Sequence, residues 1–585
     1  MITGTDAMNQ SESWTYNDLG QVLTHTKGQV TDISYDAFNR RSLVSYADGS
    51  GMQANYDAGN RLTSLVDSAS GTLSWGYDGL DRVTSASSPQ GSISYTYDAA
   101  GRRTSMTAAA QATASYTYDN ANRLTAITQG SETVQLAYDA DNRRTTLALP
   151  NGITVNYGYD TASELTGLTY AQGNGTKLGD LTYAYDADGR IVSKGGTFAT
   201  DVLPTATTQP ATFDLNDRKT SFNGQTLTYD ANGNLTSDGT NTYTWNARDQ
   251  LTHISQGGNE QLAFNYDALG RRINKSVQGT VTQFLYDGMN VVQEMQGNSI
   301  NPILTGQGID DRFARNDVTG RTYYLADLLN SAIALTDSSG AIKLRYSYDP
   351  YGNATLSDTA TGFTNPYQYI GRESDAPGLY FVRARYYSPT MAGFISEDPA
   401  RFGGRQLTFY GYGYADPIMY VDRSGQDPFL AVGGLIGGGL WGLATGLING
   451  DSGGNLWRDI GSGAVVGGLA GLTDGLSLLG EGGAAAAWIG YTGRAVASGG
   501  VEALRQFANE GCVTNWGDVA IAAASSGLGD AAGDFGGLYR DIYGYTGRGS
   551  QQAAFQIASG IGAVPGAINT SYERTLPEQK CKCQN

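Results

Sequence analysis

Histidine and cysteine are almost missing: His25 and His253, with Cys512, Cys581 and Cys583, are all that 585 residues contain. So few imidazoles exclude a histidine-based metal centre and a Ser-His-Asp relay. No disulfide framework can hold the first five hundred residues. Cys581 and Cys583 leave two readings open, a metal or crosslink at the tail and a plain exposed tail. Proline is sparse at 14, charged residues make up only 16%, and the balance is acidic, with a net charge of -18. A body with no basic excess gains nothing from releasing phosphate counterions, so the bulk of the chain is not expected to bind nucleic acid. The opening MITGTDAMNQSESW lacks both the basic and the apolar segment of a secretory leader, and no leader is expected. No motif asks for a cofactor or a metal.

Glycine and tyrosine are plentiful instead, at 80 and 38 residues, as in a turn-rich β protein. The length predicts two or more structural units. Tyr-Asp pairs begin at Tyr35, Tyr56, Tyr77, Tyr97, Tyr118, Tyr138 and Tyr159, spaced by 21, 21, 20, 21, 20 and 21 residues. Looser copies follow at Tyr185, Tyr229, Tyr266, Tyr286 and Tyr348, with degenerate ones at Phe213 and Trp245. Before each pair, apolar residues alternate with polar ones, as at Ile153, Val155, Tyr157 and Tyr159, which predicts a strand. After it, Asp-x-x-Gly/Asn-Arg predicts a turn in which the Asp accepts amide hydrogen bonds and Gly or Asn takes a left-handed conformation. One period therefore holds two short strands and two turns, a hairpin unit that must stack on its neighbour. A pair repeated a dozen times is architecture, since catalysis needs one site.

These repeats resemble the YD-repeat or Rhs family, which includes the C component of bacterial toxin complexes and teneurins. The resemblance covers about residues 12 to 428 and implies a mainly β fold, a spiral sheet forming a shell around a hollow space. Residues 1–320 read as repeats and 321–428 as the Rhs-associated core. The core is carried by Tyr323, Asp327, Asp337, the turn Asp349-Pro350-Tyr351-Gly352, Gly371-Arg372, Gly378-Leu379-Tyr380, Ala384-Arg385-Tyr386-Tyr387 and Phe394 through Pro399. It departs from the family at Leu329-Asn330, where Leu-Gly is usual.

The core ends in VDRSGQDP, similar to a family motif at which many members cut themselves with two aspartates. By position, the resemblance assigns Asp398 and Asp422 as the catalytic pair and the bond between Gln426 and Asp427 as the one cut. Two carboxylates held close share a proton, so one serves as base to water and the other as acid to the carbonyl. Arg423 and Gln426 replace the motif's Pro and Leu, and an adjacent guanidinium favours ionised carboxylates, against the shared-proton state. In the alternative, both aspartates only shape turns. Asp416 is a third carboxylate within reach of either role.

Composition changes at Phe429. Residues 429–448 are twenty uncharged, mostly apolar residues with Gly434, Gly438, Gly442 and Gly446 at every fourth place. A second ladder is Gly463, Gly467, Gly471 and Gly475. Such ladders let helix backbones approach closely, either as membrane-spanning helices or as a packed, partly helical Gly/Ala-rich region (429–483). Residues 484–585 hold no histidine and no recognisable catalytic spacing. The family resemblance implies that this variable tail is cargo, commonly a toxin, kept inside the shell until a secretion apparatus delivers it, with an immunity protein as a further partner. The expected function is thus a secreted or surface-delivered polymorphic toxin. Two alternatives stand beside it: a non-enzymatic cell-surface adhesion module, and a shell carrying a catalytic toxin of unreadable type. The repeats supply fewer residues than closed shells of the family contain, so a second chain or copy is expected to complete the shell.

Overall fold

Each Tyr-Asp pair closes one turn and fastens it to the repeat before. The computed structural model describes residues 1–430 apart from 7, 9, 200–209, 318–319, 361, 376, 401–407 and 427–428. In a representative repeat, Asp119 Oδ1 accepts the amides of Ala121 and Arg123, both at 2.9 Å, and Oδ2 accepts Arg123 Nε at 2.7 Å. Asn122 takes φ 64°, the left-handed conformation the turn needs. The Tyr118 hydroxyl donates to the Arg103 carbonyl at 2.8 Å. Arg102 of the preceding repeat lies over the Tyr118 ring, 4.8 Å from its centroid, and donates to Asn122 Oδ1 at 2.9 Å. The same hydroxyl bond and guanidinium stacking recur at Tyr56, Tyr77, Tyr97, Tyr138 and Tyr159. The strand register shifts at the Tyr itself, as between Thr117 and Tyr118, a bulge that frees the ring to turn along the sheet.

Strung together, the hairpins make two long antiparallel ribbons. The first has 19 strands, from Ile2–Thr5 to Ile191–Gly195, each paired with the next in sequence. Three short strands (Ala211–Phe213, Lys219–Phe222, Gln225–Thr226) lead to the second, of 14 strands, from Thr228–Tyr229 to Ala354–Thr359. This second sheet runs on through the strands Arg312–Asp317 and Gly320–Ala326, so the motif change read at 320/321 falls inside one sheet.

The second ribbon tracks along the first in the same direction. Lys27 Nζ donates to the Asn232 carbonyl at 2.9 Å, Arg248 pairs with Asp67 at 2.7 Å, and Arg103 with Asp287 at 2.7 Å. Farther along, Asn151 donates to the Asp337 carbonyl at 2.9 Å and Arg345 to that of Thr197 at 2.6 Å. The sequence separation of partners is 205 at Lys27, 181 at Asp67, 184 at Arg103, 186 at Asn151 and 148 at Thr197, so one ribbon runs beside the other along most of its length.

Residues 363–426 pack against the second ribbon. Four short strands (Glu373–Asp375, Leu379–Val382, Arg385–Ser388, Gly393–Phe394) form their own antiparallel sheet. Phe381 and Tyr386 share a buried cluster with Leu251, Phe264 and Tyr266 of the ribbon. Arg272 is fully buried there, its guanidinium 4.5 Å from the Phe381 ring centroid and paired with Asp375. Such a buried cation is tolerable because aromatic faces and a carboxylate replace its water. The expected mainly β architecture is what the described residues show. None of their helices is long and apolar enough to cross a membrane. The glycine ladders and the tail from 431 lie outside the described residues.

Candidate functional site

Asp398 and Asp422 meet at a single guanidinium nitrogen. Arg385 Nη2 lies 2.8 Å from Asp398 Oδ2 and 3.2 Å from Asp422 Oδ2, and all three side chains are buried. The rest of the Arg385 fork is spent on backbone, Nη1 donating to the Phe409 carbonyl at 2.9 Å and Nε to that of Gly425. Its plane covers the Phe394 ring at 3.6 Å. Arg385 sits in the strand Arg385–Ser388, while Asp398 follows the neighbouring strand Gly393–Phe394 and Asp422 follows Tyr420–Val421. The two aspartates thus arrive from separate segments and are held together by a residue on a third.

Asp422 also builds the turn that carries the expected cleavage point. Its Oδ1 accepts the Gly425 amide at 2.7 Å and the amides of Ser424 and Gln426 at 3.2 Å each, with the Ser424 hydroxyl at 3.0 Å. Burial pushes the Asp422 carboxyl above the usual range, with Arg385 and these donors pulling the other way. Gly425 closes the turn at φ 75°, where an added Cβ would lie 2.2 Å from the Val382 carbonyl oxygen, so only glycine fits. Gln426 is half-buried, its amide also 3.1 Å from Ser424 Oγ. Asp427 lies outside the described residues. Asp416 caps a different turn, accepting the Met419 amide at 3.3 Å.

Arg423 points away from the aspartate pair. Its Nη2 donates to the Leu329 carbonyl at 3.3 Å, and its own carbonyl accepts from Arg383. Arg383 and Arg372 both bind Asp310 Oδ1, at 2.7 and 2.6 Å. These arginines hold the buried Asp310 carboxyl down at about 2, against the upward push of its burial. The guanidinium that acts on the pair is therefore Arg385, and Arg423 belongs to a neighbouring charge cluster. In the sequence Arg385 is only part of the Ala384-Arg385-Tyr386-Tyr387 motif. Its bridging role has no sequence signal, because Asp398 and Asp422 lie 13 and 37 positions from it in the chain. Among the described residues no cluster of His, Cys, Asp and Glu is arranged to hold a metal.

The Teneurin YD-shell family model matches residues 29–179 and 153–417. The tRNA3(Ser)-specific nuclease WapA of Bacillus spizizenii is 30% identical over 262 residues, 43% of this chain and 11% of WapA. The double-stranded DNA deaminase toxin A of Burkholderia cenocepacia is 23% identical over 209 residues, 30% of this chain and 14% of that protein. A crystal structure of TcdB2-TccC3 without its hypervariable C-terminal region superposes with a TM-score of 0.51 at 18% identity, over 72% of this chain and 30% of that one. The chain thus spans about a tenth of the curated relatives' length and under a third of the solved neighbour's. With matches to the family model covering the repeats and most of the segment packed against them, the chain belongs to the teneurin YD-shell family.

Proposed function

We propose that residues 1–426 are the housing of a polymorphic toxin and that residues 427–585 are its cargo, freed by a cut after Gln426. By segment, 1–320 supply repeats and 321–428 the core, whose last two residues pass to the cargo on cutting; 429–483 is the glycine-ladder segment and 484–585 the effector, and from 431 on both lie outside the described residues. The observation that carries the reading is the convergence of Asp398 and Asp422 on Arg385, beside a turn in which Asp422 holds the Gln426 amide. Asp398, the closer ion-pair partner, serves as base and takes a proton from water as its oxygen attacks the Gln426 carbonyl carbon. Asp422, raised by burial, serves as acid and gives its proton to the carbonyl oxygen. Collapse of the tetrahedral species breaks the C–N bond: Asp398 passes the proton it took from water to the departing Asp427 amine, and Asp422 recovers a proton from the hydroxyl as the carbonyl re-forms.

The relatives support a housing with exchangeable cargo, since one is named a tRNA nuclease and another a DNA deaminase toxin. The neighbour solved without a hypervariable C-terminal region points the same way. Delivery outside the producing cell, an immunity protein and a secretion apparatus belong to this reading. Intact-mass analysis under denaturing conditions tests it. Two fragments meeting after Gln426 in the parent, and one chain in Asp398→Asn and Asp422→Asn, are expected; one chain throughout overturns it.

A second reading rests on the same guanidinium. Arg385 binding both carboxylates favours two ionised groups, which shape the turn without chemistry. The chain would then be a non-enzymatic surface module, and the parent would stay whole.

A further inference from the structure

Three distant parts of the chain meet at one ammonium group. Lys27 closes the strand Val22–Lys27 of the first ribbon, and its Nζ donates to the Asn232 carbonyl at 2.9 Å and to Glu397 Oε2. Asn232 lies in the Asp-capped turn 230–234 of the second ribbon, while Glu397 comes from the segment packed against that ribbon and directly precedes Asp398. The Lys27 and Glu397 side chains are 18% and 8% exposed. An ion pair so far withdrawn from water holds its geometry tightly, because either charge deprived of the other bears a desolvation cost. The pair joins residues 370 positions apart.

The turn 230–234 also supports both segments that frame Asp398. The Tyr410 hydroxyl donates to the Gly233 carbonyl at 2.7 Å, and a Cβ on Gly233 would lie 2.5 Å from Glu397 Oε1 and 2.6 Å from that hydroxyl oxygen. Between the two segments, the Phe394 amide donates to the Tyr410 carbonyl at 2.9 Å and the Asp398 amide to the Phe409 carbonyl at 3.0 Å. The Phe409 carbonyl also accepts Arg385 Nη1. Asp398 is thus set from two sides, by Glu397 along the chain and by Phe409 across from it. Glu397 rests on Gly233 and Lys27, and Phe409 adjoins the Tyr410 that rests on Gly233.

We infer that Lys27 is a positioning residue for the cut after Gln426, an inference that rests on Asp398 and Asp422 being the cleaving pair. Lys27 acts through Glu397. The ammonium holds that carboxylate against the 230–234 turn, and the backbone held with it aims the next side chain, Asp398, at Arg385. With an uncharged residue in place of Lys27, Glu397 loses this countercharge and shifts toward water, and Asp398 shifts with it. Lys27 stands near the start of the first ribbon, so the contact forms only when that ribbon is seated on both the second ribbon and the segment carrying Asp398. Cutting is thereby coupled to completion of the housing, and a chain whose first ribbon is unseated keeps its cargo attached.

The rate of cutting tests the inference. The full chain is made in a cell-free reaction, synthesis is stopped, and conversion to two fragments meeting after Gln426 is followed by intact mass. Lys27→Met is expected to cut about 10- to 100-fold more slowly than the parent, the loss that a small misplacement of a reacting group brings. Lys27→Gln, equally uncharged, is expected to be slowed likewise and replaces Lys27→Met if that variant does not fold. Lys27→Arg keeps a cation for both acceptors and is expected to restore the parent rate. Asn151→Ala removes a different contact between the ribbons, to the Asp337 carbonyl, and is expected to cut like the parent, which separates positioning from a general loosening of the ribbons. Uncharged variants that cut at the parent rate, an Arg variant as slow as they are, or an equal slowing in Asn151→Ala would each overturn the inference and leave the aspartate site standing. A parent that stays whole would overturn both.

Discussion

A β-carbon on Gly425 would lie 2.2 Å from the Val382 carbonyl oxygen and 3.0 Å from the Arg385 amide, at a φ of 75°. Gly425→Ala must therefore displace the turn that Asp422 caps. The expected outcome is a loss of about 1–3 kcal/mol in stability by denaturant titration, with loss of any cut in the intact mass. Arg385→Met leaves Asp398 and Asp422 buried without their shared countercharge, an expected cost of about 3–5 kcal/mol by the same titration. Asp310 gives a pH signature. Its carboxyl sits at about 2 in the folded chain against an ordinary 3.8, so its stabilising contribution is complete above 3.8 and is lost as pH falls through about 2. Desolvation shifts the carboxyls of half-buried Asp311 and of buried Asp327 and Asp422 upward; they act in the opposite direction, being most favourable at low pH. The difference in unfolding free energy between the parent and Asp310→Asn isolates the first effect. It is expected to be constant from neutral pH down to about 4 and to shrink below it. The positions of Asp398 and Asp422 were legible from motif. Arg385 and Asp310 were not, because nothing local distinguishes an arginine that bridges two distant carboxylates from one that faces water.

One repeat is held by bonds that stay close in sequence. The Asp caps amides two and four positions on, and the Tyr hydroxyl reaches back 13 to 16 positions, or 20 at Tyr185. Selection on such local contacts writes a period into the chain, which is why strands, turns and the left-handed Asn and Gly positions could be read directly. Tyr97→Phe removes one hydroxyl bond, 2.7 Å to the Val83 carbonyl, and keeps the ring under Arg82. A cost of about 0.5–1.5 kcal/mol is expected by urea unfolding. Replacement by Ala also removes the guanidinium's platform and is expected to cost more. The Tyr of each pair contributes both a stacked ring and an anchoring hydroxyl.

Contacts between ribbons join residues 145 to 205 apart, and they hold the two ribbons together. Asp287 is the strongest single example, taking Tyr95 on one oxygen at 2.8 Å and Arg103 on the other at 2.7 Å. Asp287→Ala leaves the half-buried Arg103 charge and the buried Tyr95 hydroxyl without this partner, with an expected cost of about 1–3 kcal/mol and new proteolytic nicking near residues 91–108. The sequence by itself determined the repeat, its strands and turns, and two of the three groups at the aspartate site. Each of those rests on residues near one another in the chain or on a motif of fixed spacing. Only the tertiary structure decided which residues of the two ribbons meet, that Arg385 sits between the aspartates, and that Arg423 turns to another cluster. Those partners lie tens to hundreds of residues apart, and no local pattern of side chains encodes where the fold brings them together.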